Sequence, residues 1–187
     1  MPTGNDLAPS RRRPAPGWLL AAGCWLLIAV SPQAQPGHAG NGERPAIPDI
    51  SYPDLSGAPH NLGQWKDRVL LLNFWASWCA PCLAEIKHLV EFQRKFGPRG
   101  LQVVGLGFDE ARKLHNVKRS FQINYPILVA DQKQSRSILK AWGNKTGLIP
   151  YTVIFDRQGK VVRAHRGIID EQQFESLVMP LLKPAAE

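Results

Sequence analysis

The chain has 187 residues, 44% of them apolar and 20% charged, with a formal net charge of +8. That length and balance suit one soluble globular domain with an appendage and exclude both a disordered chain and a multi-span membrane bundle. The basic residues are scattered, with no run interleaved with aromatics, so nucleic-acid binding is not expected; three cysteines are too few for a small disulfide-built scaffold.

The N-terminus reads as an address. Arg11, Arg12 and Arg13 precede an apolar run from Gly17 to Val30, followed by the small and polar residues SPQAQPGHAG. This is the order of an export signal. The run has 14 residues, short of the roughly 18 of a comfortable span. Residues 1–34 are therefore expected to be an export signal, either cut near Ala34 or Ala39 or retained as an N-terminal membrane anchor with the arginines on the cytoplasmic side. The stretches Ser10-Arg11-Arg12 and Leu20 to Cys24 have weak twin-arginine and lipoprotein features, but Pro14 and the apolar residues after Cys24 fit neither well. Cys24 belongs to this address. Without residues 1–34, where three arginines face Asp6, the remainder still carries +6. That charge favours an acidic partner or an anionic membrane surface.

Residues 35–48 are rich in Pro, Gly and Ala and read as a flexible tether, leaving 49–183 for the folded domain. Ile50 to Leu62 holds a Ser-Gly turn between two short apolar pieces, which predicts a small hairpin. Val69 to Trp75 is apolar almost throughout and predicts a strand buried on both faces. A helix follows, with Pro81 in its first turn, where the missing N–H costs nothing. Ile86, Leu89, Val90 and Phe96 form its apolar face, and Gly97-Pro98 ends it. Leu101 to Phe108 predicts a second buried strand. Asp109-Glu110 opens a helix with Leu114, Val117 and Phe121 inward. A short strand at Tyr125 to Val129 and a short helix at Ser135 to Trp142 come next. Tyr151 to Asp156 and Lys160 to His165 form a terminal hairpin about Arg157-Gln158-Gly159. Asp170 caps one last helix, with Gln173 as its capping-box partner and Phe174, Leu177, Val178 and Leu181 inward. The order predicts an α/β domain with a mixed sheet and helices on both sides.

Cys79-Ala80-Pro81-Cys82 lies where the first strong strand meets its helix. A disulfide across so short a loop stabilises almost nothing, so the pair is chemical rather than structural. Helix N-termini carry unpaired N–H groups and about half a positive charge, so a thiolate at Cys79 is favoured and its pKa should fall below the ordinary value of about 8.5. Cys79 is the expected nucleophile. Cys82, one turn into the helix, is expected to resolve the mixed disulfide that Cys79 forms. Zinc needs two further ligands, and His60, His88, His115 and His165 are not spaced to supply them.

Asn73 to Glu85, NFWASWCAPCLAE, resembles the exported thioredoxin-fold thiol–disulfide oxidoreductases of the TlpA/ResA type, which include cytochrome c maturation reductants. The resemblance runs from about Ile47 to Leu182. It implies a thioredoxin-like fold with an N-terminal hairpin and a central helix–strand insertion. It further implies that Gly147-Leu148-Ile149-Pro150-Tyr151 carries a cis-proline facing Cys79, with the Ile149 backbone pairing to the substrate as an added strand. In this family a glutamate in a CxxCxxE pattern assists proton movement, and Glu85 matches it. Asn73 stands where cytosolic thioredoxin has a buried aspartate; it cannot accept a proton, which leaves that task to Glu85 or water. Trp75 and Trp78 look like the family's packing residues around the site, and Trp78 is expected to face substrate. The implied partners are proteins bearing disulfides, such as apocytochrome c or a copper-site protein, and a membrane thiol-transfer protein that returns electrons. No cofactor beyond the Cys79–Cys82 disulfide is expected. Two rivals are a peroxiredoxin-class peroxidase, which would need a threonine where Ala76 stands, and a copper-delivery module, which would need more thioether or imidazole support.

Overall fold

A computed structural model describes residues 46–183; the expected export signal, with Cys24, lies outside the described residues, as does most of the tether. Among the described residues no helix is long and apolar enough to cross a membrane. Residues 46–48, expected in the tether, are held against the terminal hairpin: Ala46 bridges Lys160 and the Ile47 N–H donates to the Gly159 carbonyl at 2.7 Å.

The small hairpin forms as expected, from β1 (Ser51–Pro53) and β2 (Pro59–Asn61). Its turn puts Gly57 at φ +90°, a backbone region that glycine enters without steric cost. Asp54 organises the turn, its Oδ1 accepting from the Ser56 hydroxyl and from the Ser56 and Ala58 N–H groups. Asp54 also bridges Leu128, which holds the hairpin on the edge of the main sheet.

The main sheet has five strands in the order β5-β4-β3-β6-β7. β3 (Val69–Trp75) is central and every residue in it is buried. It pairs parallel with β4 (Leu101–Gly107), which pairs parallel with β5 (Ile127–Val129). On its other side β3 pairs antiparallel with β6 (Tyr151–Phe155), and β6 with β7 (Val161–Arg166). The apolar run of β3 reflects cover on both faces. One face carries α1 (Ala80–Phe96) and α4 (Glu171–Leu177), locked by Phe92 stacked on Phe174 with ring centres 4.0 Å apart. The other face packs Phe74 against Trp142, Tyr151 and Phe108, and Trp142 follows α3 (Ser135–Ala141). Between β4 and β5 lies α2 (Ala111–Ser120), the inserted helix. This is the expected thioredoxin-like α/β fold, with its mixed sheet, its hairpin and its helix–strand insertion.

Two local expectations differ. The fifth strand begins at Ile127 rather than Tyr125. Pro126 has no N–H to give a ladder, although its carbonyl accepts from Gly105. The last helix is two pieces, α4 and α5 (Met179–Leu182), because Pro180 lacks the N–H that would bond the Ser176 carbonyl. The Asp170 cap is present, its carboxylate accepting from the Gln173 N–H at 2.8 Å.

Candidate active site

The dithiol corner is built by the end of β3. After Trp75 the chain turns through Ala76, whose carbonyl accepts from the Cys79 N–H at 3.2 Å. Cys79 is the N-cap of α1, with extended backbone, and its Sγ accepts from the Cys82 N–H at 3.3 Å. Pro81 has no N–H, so the Cys82 amide is the first donor that can reach the cap sulfur. A sulfur thus occupies the place a serine or aspartate oxygen takes at other helix starts. The loop is pinned from outside as well. The Ser77 hydroxyl donates to Asp109, which also accepts from the Glu110 N–H at 2.8 Å and pairs with Lys113 at 3.2 Å. Burial alone would push the Asp109 carboxyl upward, but the Ser77, Glu110 and Lys113 donors outweigh it and hold the group below the usual carboxylate range.

Cys79 and Cys82 are joined as a disulfide. Cys82 is fully buried, and Cys79 keeps 5% of its surface exposed. Of the two cysteines only Cys79 keeps exposed surface, which makes it the residue an incoming thiolate would meet first. Across from it the Ile149–Pro150 bond is cis, and Cys79 Sγ lies 3.8 Å from the Ile149 carbonyl. That loop is shaped by Asn144, buried at 1%. Its Oδ1 accepts from the Gly147 N–H and the Thr146 hydroxyl, and its Nδ2 donates to the Leu148 carbonyl at 2.7 Å. The Pro150 carbonyl accepts from the Gly167 N–H at 2.9 Å, so the 167–169 loop sits beside the cis-proline loop.

Further along α1, three residues past Cys82, lies a buried polar cluster. Glu85 is fully buried, not a solvated residue at the helix start. Its Oε1 accepts from the Ile169 N–H at 2.8 Å and its Oε2 from the Asn73 amide at 2.8 Å. The Asn73 Nδ2 also donates to Thr152 Oγ1 at 2.9 Å. Burial pushes the Glu85 carboxyl up to about 7, with the Ile169 and Asn73 bonds pulling the other way. The Tyr125 phenol is pushed up by burial and further by the Glu85 charge.

The two tryptophans divide. Trp75 is buried against Gly105, where a Cβ would come within 2.8 Å of its indole nitrogen; that indole N–H has no hydrogen-bond partner. Trp78 is 61% exposed, so it forms no packed wall and stands beside Cys79 as free apolar surface. Leu148 at 69% and Ile168 at 37% are the other large exposed apolar side chains among the described residues. Each borders the site: Leu148 precedes Ile149, and Ile168 precedes Ile169. A largely open cleft of about 600 Å³, lined by Asp109, Glu110, Asp131, Gln132 and Lys133, lies beyond the ends of β4 and β5 and contains neither cysteine.

The structure thus brings together Cys79, Cys82, Ile149 and Pro150, with Glu85 buried three residues further along α1. Thr152, Asn144, the Ile169 N–H and the Ser77–Asp109 tie were not singled out from sequence. Of these only Thr152 had a usable signal, a hydroxyl within the otherwise apolar run of β6.

A parallel-centred mixed sheet, a CxxC at the start of its central helix and a cis-proline facing it define a thioredoxin-like thiol–disulfide oxidoreductase. The chain belongs to the Redoxin family, which matches residues 41–178. It is 27% identical over 169 residues to the thiol-disulfide oxidoreductase ResA of Bacillus subtilis, covering 90% of this chain and 91% of that one. A thiol:disulfide interchange protein of the thioredoxin family from Chlorobium tepidum superposes with a TM-score of 0.65 at 25% identity, over 75% of this chain and 97% of that one. A secreted thiol-disulfide isomerase from Corynebacterium glutamicum shares the fold, with a TM-score of 0.65 at 21% identity over 76% of this chain and 88% of that one.

Proposed function

We propose that this oxidoreductase is exported and works as a reductant of particular protein disulfides, such as the haem-attachment cysteines of an apocytochrome c or the copper-ligand cysteines of an oxidase or its chaperone. The observation that carries the reading is the Cys79 sulfur, reachable at a helix start, 3.8 Å from a backbone carbonyl on the cis-proline loop and bordered by exposed Trp78, Leu148 and Ile168. Such a surface suits an extended protein segment laid along Ile149 and Pro150, with its own disulfide over Cys79. The likeness to ResA, of the exported type that the motif resembles, supports an extracytoplasmic setting. Residues 1–34 supply the export signal in this reading, cut or kept as an anchor.

In the working direction the Cys79 thiolate attacks one substrate sulfur. That S–S bond breaks, a mixed disulfide forms, and the first substrate thiolate leaves and takes up a proton. Cys82 then gives its proton to Glu85 and attacks the Cys79 sulfur, which expels the second substrate thiolate. The substrate gains two electrons and the protein becomes the Cys79–Cys82 disulfide. A membrane thiol-transfer protein, through its own dithiol, returns the two electrons. No step uses a cofactor.

The Ala80-Pro81 dipeptide carries no donor that would stabilise the reduced thiolate beyond what the helix start provides. The reduction potential is accordingly expected nearer thioredoxin's roughly −270 mV than the roughly −120 mV of a strong periplasmic oxidant. A glutathione or dithiothreitol redox titration giving a value above about −160 mV would reverse the direction of flow. The decisive test of the function is trapping. In the exported full chain, Cys82→Ser should leave Cys79 held in mixed disulfides with substrate proteins, identifiable by mass spectrometry and absent from the Cys79→Ser, Cys82→Ser double variant. If no species depends on Cys79, the reading fails. Peroxide consumption lost in Cys79→Ser would favour the peroxidase alternative, and stoichiometric copper binding without thiol exchange the copper-delivery module.

A further inference from the structure

Asn73 and Thr152 form a fixed mount for the buried carboxylate. Asn73 lies on β3 and Thr152 on β6, directly opposite each other in the antiparallel pairing, so their side chains emerge on the same face of the sheet. That face carries Glu85 of α1. All three residues are at most 1% exposed. The Asn73 amide nitrogen uses both of its hydrogens, one on Glu85 Oε2 at 2.8 Å and one on Thr152 Oγ1 at 2.9 Å. Acceptance by Thr152 matters to the first bond. The ionised carboxylate takes only donors and so draws the amide nitrogen toward itself, and Thr152 accepts the second hydrogen that this orientation leaves. An amide N–H aimed at a carboxylate favours the ionised form, whereas a carbonyl there would favour the protonated one.

We propose that Asn73 and Thr152 are positioning residues that hold Glu85 as an ionisable proton acceptor for Cys82, and that Thr152 acts by fixing the orientation of the Asn73 amide. The inference rests on the reading of Glu85 as acceptor of the Cys82 proton. A neutral amide gives the carboxylate a donor without adding a second negative charge. An aspartate in its place would set two carboxyls at hydrogen-bond distance, sharing one proton and titrating as a pair.

Burial dominates the surroundings of Glu85, and the Ile169 N–H and then the Asn73 amide oppose it. Cys82, three residues earlier, lies on the same buried side of α1. Tyr125, ahead of β5, is the other titratable group that feels the Glu85 charge. β3 presents Asn73, β6 presents Thr152, and the 167–169 loop presents the Ile169 N–H, none of them ionisable. Among the described residues no basic side chain acts on Glu85; burial is opposed by the Ile169 and Asn73 bonds. Thr152 is also two residues past Pro150, so the mount ties the carboxylate to the strand that continues from the substrate-facing loop.

The test is a carboxyl titration of the full chain labelled with 13C at the glutamate carboxyls, with Glu85 assigned by the resonance that Glu85→Gln removes. Asn73→Leu removes the donor while keeping the branched shape and should raise the Glu85 midpoint by about one pH unit, a ~10-fold gain in proton affinity. Thr152→Val, which removes the acceptor and keeps the shape, should shift it the same way by less. Should Asn73→Leu not fold, Thr152→Val alone decides. In parallel, the pH profile of Cys82-dependent release of a mixed disulfide on Cys79 should move up by the same amount. Midpoints unchanged in both variants would overturn the proposal and leave the reductase reading untouched. A raised midpoint with an unmoved release profile would also overturn it, because Glu85 would then lie outside the chemistry. Failure of the wild-type protein to reduce any protein disulfide would instead strike the reductase reading, and the titration would still report on the mount.

Discussion

Cys79→Ser is expected to reduce insulin-disulfide reduction by ~10³-fold or more while leaving the fold in place. A serine hydroxyl stays protonated at neutral pH and cannot displace a thiolate from a disulfide. Its structural effect is small, because the residue is an N-cap and serine is among the best side chains for that position. The Oγ can accept the Cys82 N–H that Sγ accepts now, at 3.3 Å in the native corner. Loss of the disulfide itself costs little stability, since Cys79 and Cys82 are three residues apart and the closed loop restrains few unfolded conformations. Thermal melts of the variant and the reduced wild-type protein should therefore nearly coincide while the activity differs by orders of magnitude. The pairing with Cys82→Ser assigns the roles. That variant should still form mixed disulfides and fail to release them. If instead Cys82→Ser lost the first attack and Cys79→Ser retained it, the assignment of nucleophile and resolving cysteine would be reversed.

Glu85→Gln is expected to act on both chemistry and stability, with opposite signs above neutral pH. The Glu85 carboxyl is pushed up to about 7 by burial, against the Ile169 and Asn73 hydrogen bonds, from an ordinary value of 4.5. A raised folded-state value means that the native protein binds this proton more tightly than the unfolded chain. Between about pH 4.5 and 7 the folded state thus holds more protons, and stability falls as pH rises through that window. The total loss is on the order of 3 kcal/mol. Below the window both states are protonated and the contribution is intact. Glutamine cannot ionise, so the variant's stability should be flat across the same range and exceed that of the wild type above pH 7. Denaturant unfolding at several pH values measures this directly. The chemical effect is the reverse. A carboxyl titrating near pH 7 is poised to take the Cys82 proton, and general-base assistance is worth ~10²-fold or more. Release of the mixed disulfide at pH 7 to 8 should slow by about that factor in Glu85→Gln. Wild-type release rates in the variant would remove Glu85 from the mechanism. A wild-type slope of stability against pH would show that the carboxyl does not govern the linkage.

Much of the fold is legible because its signals are local. The apolar run at Val69–Trp75, broken only by Asn73, marks a strand buried on both faces, and the register makes it the central strand between β4 and β6. Asp170, Gly97-Pro98 and the Ser56-Gly57 turn each carry their conformational preference in one or two residues. The split of the last helix at Pro180 is equally local, but the apolar spacing continues across it and predicts one helix. Tyr125 has strand propensity and Pro126 does not interrupt the apolar pattern, so the sequence predicts a start for β5 two residues before the observed Ile127.

The site separates along the same line. Cys79 and Cys82 lie three positions apart in the chain, and the strand-to-helix corner that holds them is written in their immediate neighbours; sequence alone determines the dithiol and its place at a helix start. Pro150 is 71 residues from Cys79, and its place opposite the sulfur follows from resemblance, not spacing. Trp75 closes β3 and Trp78 lies in the turn beyond it, three residues apart; packing on Gly105 buries the first, and the second stays exposed. Most of all, tertiary structure decides what Glu85 is. Three residues beyond Cys82 it reads equally as a solvated helix-start carboxylate. The fold buries it and closes β3, β6 and the 167–169 loop around it through Asn73, Thr152 and Ile169. A carboxyl's proton affinity is set by desolvation and by donors brought from distant parts of the chain, and neither exists until the sheet and helix have come together.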